Sequence, residues 1–225
     1  MNSRISIFKL EFDLGYPDLL ENLIAERYLP GALSGFMLKE SNSLKISAKH
    51  IYKRIKILEQ LDPFGHSSKS EIEQYLINDF AISDGYLEIY DSTKSLTPFK
   101  ESLSNILSHN FTLEPVTINL RSLIDKITTI FEASSIQGLE ISSFELVTDC
   151  LSMVHIKGNA NLSDKINLLF ENKNYSIRKA IISLDIDEEA IIMEVSEKGS
   201  IKLKGSYIDE STLDKLLVLI KGNCH

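Results

Sequence analysis

The sequence predicts an α+β fold, with two α/β units whose antiparallel-rich sheets are covered by helices and with a three-stranded meander in the C-terminal half. Three observations carry this. Hairpin signals recur, the plainest being Asp84-Gly85 within DFAISDGYLEIYDS, a dipeptide suited to the positive φ angles of a type I′ turn. Single amphipathic stretches separate the hairpins, without the regular β-α-β alternation of a parallel sheet. Pro115 lies inside a strand-like run, FTLEPVTI, which suits a sheet edge or a joint. Residues 1–115 and 116–225 are therefore expected to form the two units, meeting near residues 108–118.

Ile5 to Phe12 alternates as a strand, with Phe8, Leu10 and Phe12 on one face. Pro17 opens a helix reaching Tyr28, and Pro30-Gly31 stops it. Short strands are expected at Phe36–Glu40 and Leu44–Ser47. The next segment, KHIYKRIKILEQL, spans Lys49 to Leu61. Its spacing predicts a helix with Ile51, Ile55 and Leu58 on one face and Lys49, Lys53 and Lys56 opposite, flanked by Arg54. Asp62-Pro63 ends it. Ser70 and Glu73 form a capping-box pattern for a short helix to Leu76. The Asp84-Gly85 hairpin follows, then a helix from Thr97-Pro98 to Leu107 and a strand over Phe111–Ile118.

Leu120, Leu123, Ile124, Ile127, Ile130 and Phe131 make the strongest helical face of the chain. Gly138 to Ile156 reads as two strands bent near Asp149, and Asn161 and Asp164 cap a helix to about Asn172. The meander strands alternate around Ile182–Ile186, Ile191–Val195 and Ile201–Leu203. They are joined by Asp187-Glu188-Glu189 and Glu197-Lys198-Gly199. A last helix presents Leu213, Leu216, Leu217 and Ile220.

The chain has 225 residues, 43% of them hydrophobic, which is enough for a sizeable core, and 25% charged, as in ordinary globular proteins. No apolar run approaches the ~20 residues of a membrane-spanning helix. Glu11 and Asp13 interrupt the N-terminal run before a signal-peptide core could form. The expectation is a cytoplasmic chain, and two cysteines, Cys150 and Cys224, fit that compartment without a structural disulfide. The net charge of −8 argues against bulk attraction to nucleic acid or anionic membrane but leaves room for a local basic face.

Motifs for catalysis or cofactors are missing. His50, His66, His109, His155 and His225 stand at no metal-ligand spacing from one another or from a cysteine. The sequence has no GxSxG elbow, and PGALSG has neither the glycine spacing of a phosphate-binding loop nor its lysine. Asp185, Asp187, Glu188 and Glu189 could position Mg²⁺ in a nuclease, or could be the charged turn that blunts a strand edge. No carboxylate–lysine constellation completes the first option, and no cofactor or metal site is expected.

What remains is basic residues in an acidic chain. Lys49, Lys53, Arg54 and Lys56 are candidate contacts to a phosphate backbone, because lysine and arginine supply sequence-independent, salt-sensitive affinity. The same residues also suit the solvated side of an amphipathic helix. Arg178, Lys179, Lys202 and Lys204 form a second candidate surface beside the meander, where Asp185 and Glu194 could instead pair with them across strands.

From FAISDGYLEIYDS onward, the order of elements resembles the RexA-like phage-exclusion proteins of lambdoid prophages. The resemblance runs through the helix near Phe99–Leu107, FTLEPVTI and SLIDKITTIFEASSIQGLEISSFEL to SEKGSIKLKG, about 130 residues in all. It implies a dimeric, two-domain protein that binds double-stranded DNA without sequence preference in abortive infection. It supplies no catalytic residues, and the chain departs from the pattern in its first part and its tail. The expected function is thus a non-enzymatic antiphage-defence protein that binds DNA or another polyanion. The alternatives are a protein-interaction module and a metal-dependent nuclease. For the homodimer, the C-terminal helix with Val218 and Leu219 is a candidate interface.

Overall fold

The computed structural model describes residues 2–42, 44–61, 63–131, 133–147, 150–158, 161–162, 175–186, 189–205 and 208–225. In chain order, the first elements are β1 (Asn2–Phe12), α1 (Tyr16–Ala25), β2 (Ser34–Ser41), β3 (Lys45–Leu61), β4 (Ser67–Ser83), β5 (Tyr86–Tyr90), α2 (Thr97–Ile106) and β6 (Phe111–Pro115). They are followed by α3 (Leu120–Ile130), β7 (Ser134–Val147), β8 (Cys150–Lys157), β9 (Ser176–Ile186), β10 (Glu189–Ser196), β11 (Ser200–Lys204) and α4 (Glu210–Lys221). Among the described residues, the strands hydrogen-bond in the order β2-β3-β4-β5-β1-β11-β10-β9-β7-β8, with β6 on β1.

The molecule is therefore a largely antiparallel, eleven-stranded sheet protein with four short helices among its described residues, which corrects the α+β expectation of two α/β units. The difference lies mainly in residues 45–83. The predicted helices at 49–61 and 70–76 are instead the two 17-residue strands β3 and β4, paired without a register break from Lys45↔Ser83 to Leu61↔Ser67. Ile51, Tyr52, Ile55 and Ile57 face Ile77, Leu76, Glu73 and Glu71 across the ladder. β-Branched and aromatic residues pack well on a pleated surface, and seventeen paired positions outweigh a helical spacing that only three apolar residues support. Of the predicted helix, Asn161 is described and its Oδ1 accepts the Ile136 N–H at 3.2 Å, while residues 163–174 and the bend at Asp149 lie outside the described residues.

Contacts group the chain into two compact units, Lys9–Glu114 and Met1–Phe8 with Pro115–His225. In the first unit, β2, β3, β4 and β5 carry a core in which Phe36, Phe80 and Phe99 interlock at ring distances of 5.8 and 5.1 Å. Leu19 and Leu23 of α1 and Leu103 and Ile106 of α2 are buried. Asp84 and Gly85 adopt φ of 53° and 76°, as the expected β4–β5 turn requires.

In the second unit, Ala180, Ile182 and Leu184 of β9, Ile191, Met193 and Val195 of β10, and Ile201 and Leu203 of β11 are buried. The strict alternation means that only one face of this sheet is core. Leu120, Leu123, Ile124 and Ile127 of α3 and Leu216, Leu217 and Ile220 of α4 are buried as well. Asn119 and Asp209 cap α3 and α4 by accepting the backbone N–H of Ser122 (3.1 Å) and Thr212 (3.0 Å). Among the described residues, no helix is long and apolar enough to cross a membrane.

Candidate polyanion-binding face

Because odd residues of β9 and even residues of β10 and β11 point away from the second unit's core, the meander builds a polar face from residues distant in sequence. The register aligns them in two directly opposed runs. His155 of β8 stands opposite Glu140 of β7, and Glu140 stands opposite Lys179 of β9. Glu194 of β10 faces Lys202 of β11, and Lys202 faces Arg4 of β1. Directly opposed side chains on one sheet face lie about 5 Å apart at Cβ, and diagonal neighbours remain within reach of long side chains. Between β9 and β10 the register sets Lys179 opposite Ser196 and Ile181 opposite Glu194, so Lys179 and Glu194 meet diagonally and join the two charged runs.

The row is held by specific bonds. Glu194 Oε1 accepts from Lys179 Nζ and Lys202 Nζ, each at 2.9 Å. The Glu194 side chain is only 19% exposed. Burial pushes its carboxyl up, but the bonds to Lys202 and Lys179 outweigh burial and hold it below the usual range. One carboxylate thus fixes two ammonium groups and leaves the trio with positive charge. His155 Nδ1 lies 3.7 Å from Glu140 Oε2. A cleft between these strands is lined by Glu140, His155, Lys157, Lys179 and Glu194. Lys157, on the same face as His155 by alternation, and Lys204, two residues beyond Lys202, make no ion pair among the described residues. Among the described residues of this face, Arg4, Lys157, Lys179, Lys202 and Lys204 outnumber Glu140, Asp185 and Glu194, which makes them a locally basic set in an acidic chain.

The eight residues singled out from sequence separate into distinct environments. Lys179 and Lys202 belong to the row just described, and Lys204 flanks it on the same face. Arg178, on the opposite side of β9, donates from Nε to Ser142 Oγ at 2.6 Å and pairs with Glu197. The four residues of the predicted helix do not form one stripe, because a strand alternates. Lys49 and Lys53 lie on one face of β3, where Lys49 is 3.9 Å from Asp79 and Lys53 pairs with Glu73. Arg54 and Lys56 lie on the other, where Arg54 Nε donates to Gln74 Oε1 at 2.8 Å and Lys56 has no ion pair among the described residues.

Arg4, Lys157 and His155 join the row without having been singled out from sequence. Their local signal is alternation within a strand; strand order, which brings them together, has no local signal. Of the carboxylate cluster, Asp187 and Glu188 lie outside the described residues, and Asp185 pairs with Ala190 in the β9–β10 hairpin. Among the described residues, no group of three or more His, Cys, Asp or Glu side chains could hold a metal ion. No protein-family model matches the chain, and comparison with curated proteins finds no match.

Proposed function

We propose that this chain is a non-enzymatic cytoplasmic protein that holds a polyanion, double-stranded DNA above all, on the β8-β7-β9-β10-β11-β1 face without reading its sequence. We assign it to phage exclusion, as a homodimer, following its resemblance to RexA-like proteins. The observation that carries the binding role is the row of Lys179, Glu194, Lys202 and Arg4, flanked by Lys157 and Lys204. Ammonium and guanidinium groups spread over a flat surface suit phosphate contacts, which position a duplex without specifying bases. A dimer would set two such faces on one ligand and raise avidity without new contacts.

Duplex binding followed by fluorescence anisotropy across a salt series tests this. Lys157→Glu with Lys204→Glu removes two positive groups that hold no partner in the row, so the fold is retained. Affinity should fall equally for unrelated sequences, and the slope of log K against log salt should drop by roughly one per contact removed. Glu194→Gln should act in the opposite direction and tighten binding. Wild-type affinity that ignores salt, or a double variant that binds like the parent, overturns the reading.

A protein-interaction role is the second reading, and a different surface favours it. Ile55, Ile57, Tyr75 and Ile77 are 46 to 61% exposed on one face of the β3–β4 ribbon, where they alternate with Glu73, Glu71 and Lys53, the residues opposite Ile55, Ile57 and Tyr75.

A further inference from the structure

The β3–β4 ribbon extends beyond its flanking strands. β2 accompanies β3 only as far as Tyr52, and β5 accompanies β4 only from Asp79 to Ser83. From residue 54 outward, the described residues offer β3 and β4 no third strand. A two-stranded ribbon is marginal in water, and an exposed edge is a template for pairing. The two edges differ in character. The outer part of β4, Ser67-Ser68-Lys69-Ser70-Glu71-Ile72-Glu73, is blunted by serines and charges. The outer part of β3, Ile55-Lys56-Ile57-Leu58, is predominantly apolar, with Ile55 and Ile57 56% and 61% exposed.

The hydrogen-bonding side of that edge follows from one bond. Lys53 N–H donates to Leu33 O at 2.7 Å, away from β4. In an antiparallel ladder, alternate residues turn their N–H and C=O to the same side. With no register break in β3, Ile55, Ile57 and Glu59 also point theirs outward.

We infer that this edge pairs with the same edge of a second copy, antiparallel about a two-fold axis at Ile57. It deepens the homodimer reading above by naming the surface. A two-fold interface must be self-complementary, and like charges directly opposite one another are destabilising. Centring the axis on Lys56 or Glu59 would set each against its own copy, and centring it on Ile55 would set Arg54 against Lys56. An axis at Ile57 opposes Ile57 to Ile57, Lys56 to Leu58, Ile55 to Glu59 and Arg54 to Gln60, with no like-charge pair. An axis at Leu58 also avoids repulsion but separates the two Ile57 side chains. The Ile57 register therefore sets the two Ile57 side chains directly against each other, with each Ile55 diagonal to the partner's Ile57, and converts two marginal ribbons into one four-stranded sheet.

Molar mass by light scattering, at micromolar protein and without nucleic acid, reads this apart from anion binding. The wild-type chain should weigh twice 25.4 kDa. Ile57→Lys, which places like charges on the axis at a solvent-exposed site, should halve the mass. Ile57→Pro should do the same, since it removes an outward N–H that β4 does not use. Ile72→Lys, on the β4 edge, should leave the dimer intact, and unchanged circular dichroism verifies folding of each variant. With Cys150→Ser and Cys224→Ser as background, Ile57→Cys should cross-link to itself through a short bis-maleimide, and Ile72→Cys should not. A dimer indifferent to Ile57→Lys and Ile57→Pro would overturn this edge while leaving the homodimer reading standing. A monomeric wild-type chain would overturn both and leave the edge to a strand of another protein.

Discussion

His50 is fully buried between Phe36 and Phe99, with ring distances of 5.2 and 5.5 Å. Its Nε2 reaches Ser102 Oγ at 3.0 Å, while Nδ1 has no hydrogen-bond partner among the described residues. Burial pushes the imidazole down to about 4, because no neighbour compensates a charge there. The unfolded chain therefore binds a proton that the folded chain refuses between about pH 6.5 and pH 4. Stability from this residue is complete above that window and is lost as pH falls through it, at about 1.4 kcal/mol per pH unit and on the order of 3 kcal/mol in all. In His50→Phe the ring is kept and the titration removed. Urea unfolding at pH 7 and pH 5 should show wild type losing more stability than the variant; parallel losses would dismiss the account. The sequence already marked His50 as a lone histidine, but strand alternation, not helical spacing, is what turns it inward beside Ala48 and Ile46.

At the scale of elements, legibility followed how far each signal was local. The β4–β5 turn and the meander rest on residues within a few positions of one another, and both are legible in the sequence. The β3–β4 ribbon is not. Its spacing fits both periods, since Ile51 and Ile55 share a face in a helix and in a strand, and Ser70 with Glu73 imitates a cap. What decides between them is the partner strand, which no window within β3 contains. The same reasoning identifies a turn where substitution is costly. Gly199 has φ of 75° between β10 and β11. A Cβ there would lie 2.5 Å from Val116 Cγ2 and 2.7 Å from the Ile7 carbonyl oxygen, the residue whose N–H donates to Gly199 O at 2.9 Å. Gly199→Ala thus combines positive-φ strain with collision against backbone, and should cost about 2 kcal/mol or more. For a chain of this size that lowers the melting temperature by roughly 5 °C or more, measurable by calorimetry. Gly31→Ala, with φ of 89° but nothing within 4 Å of its Cβ, should cost less and separates strain from collision.

At the scale of the whole molecule, the candidate site is a product of strand order. Arg4 and Lys202 are neighbours only because β1 pairs with β11, and Glu140 meets Lys179 only because β7 pairs with β9. Composition could exclude a uniformly basic protein, but it could not show that basic residues gather on one face while the net charge stays at −8. That combination has a consequence for binding. On the proposed reading, phosphate contacts on the face would release counterions and make log K fall with log salt, whereas the acidic remainder of the molecule would repel a duplex over a distance set by screening. The screening length is about 8 Å at physiological ionic strength and about 30 Å at 0.01 M. Lowering salt should therefore strengthen the contacts and the long-range repulsion together. The plot of log K against log salt should steepen at high salt and flatten toward 0.01 M instead of staying straight. Association should show the same balance, with rate constants nearer the about 10⁵–10⁶ M⁻¹s⁻¹ of unsteered encounters than the about 10⁸ M⁻¹s⁻¹ of steered ones at low salt. Stopped-flow mixing with a labelled duplex measures both. A straight salt plot with steered association would mean that the duplex does not experience the acidic bulk, and the binding surface would then have to lie elsewhere than on a local row of lysines in an acidic chain.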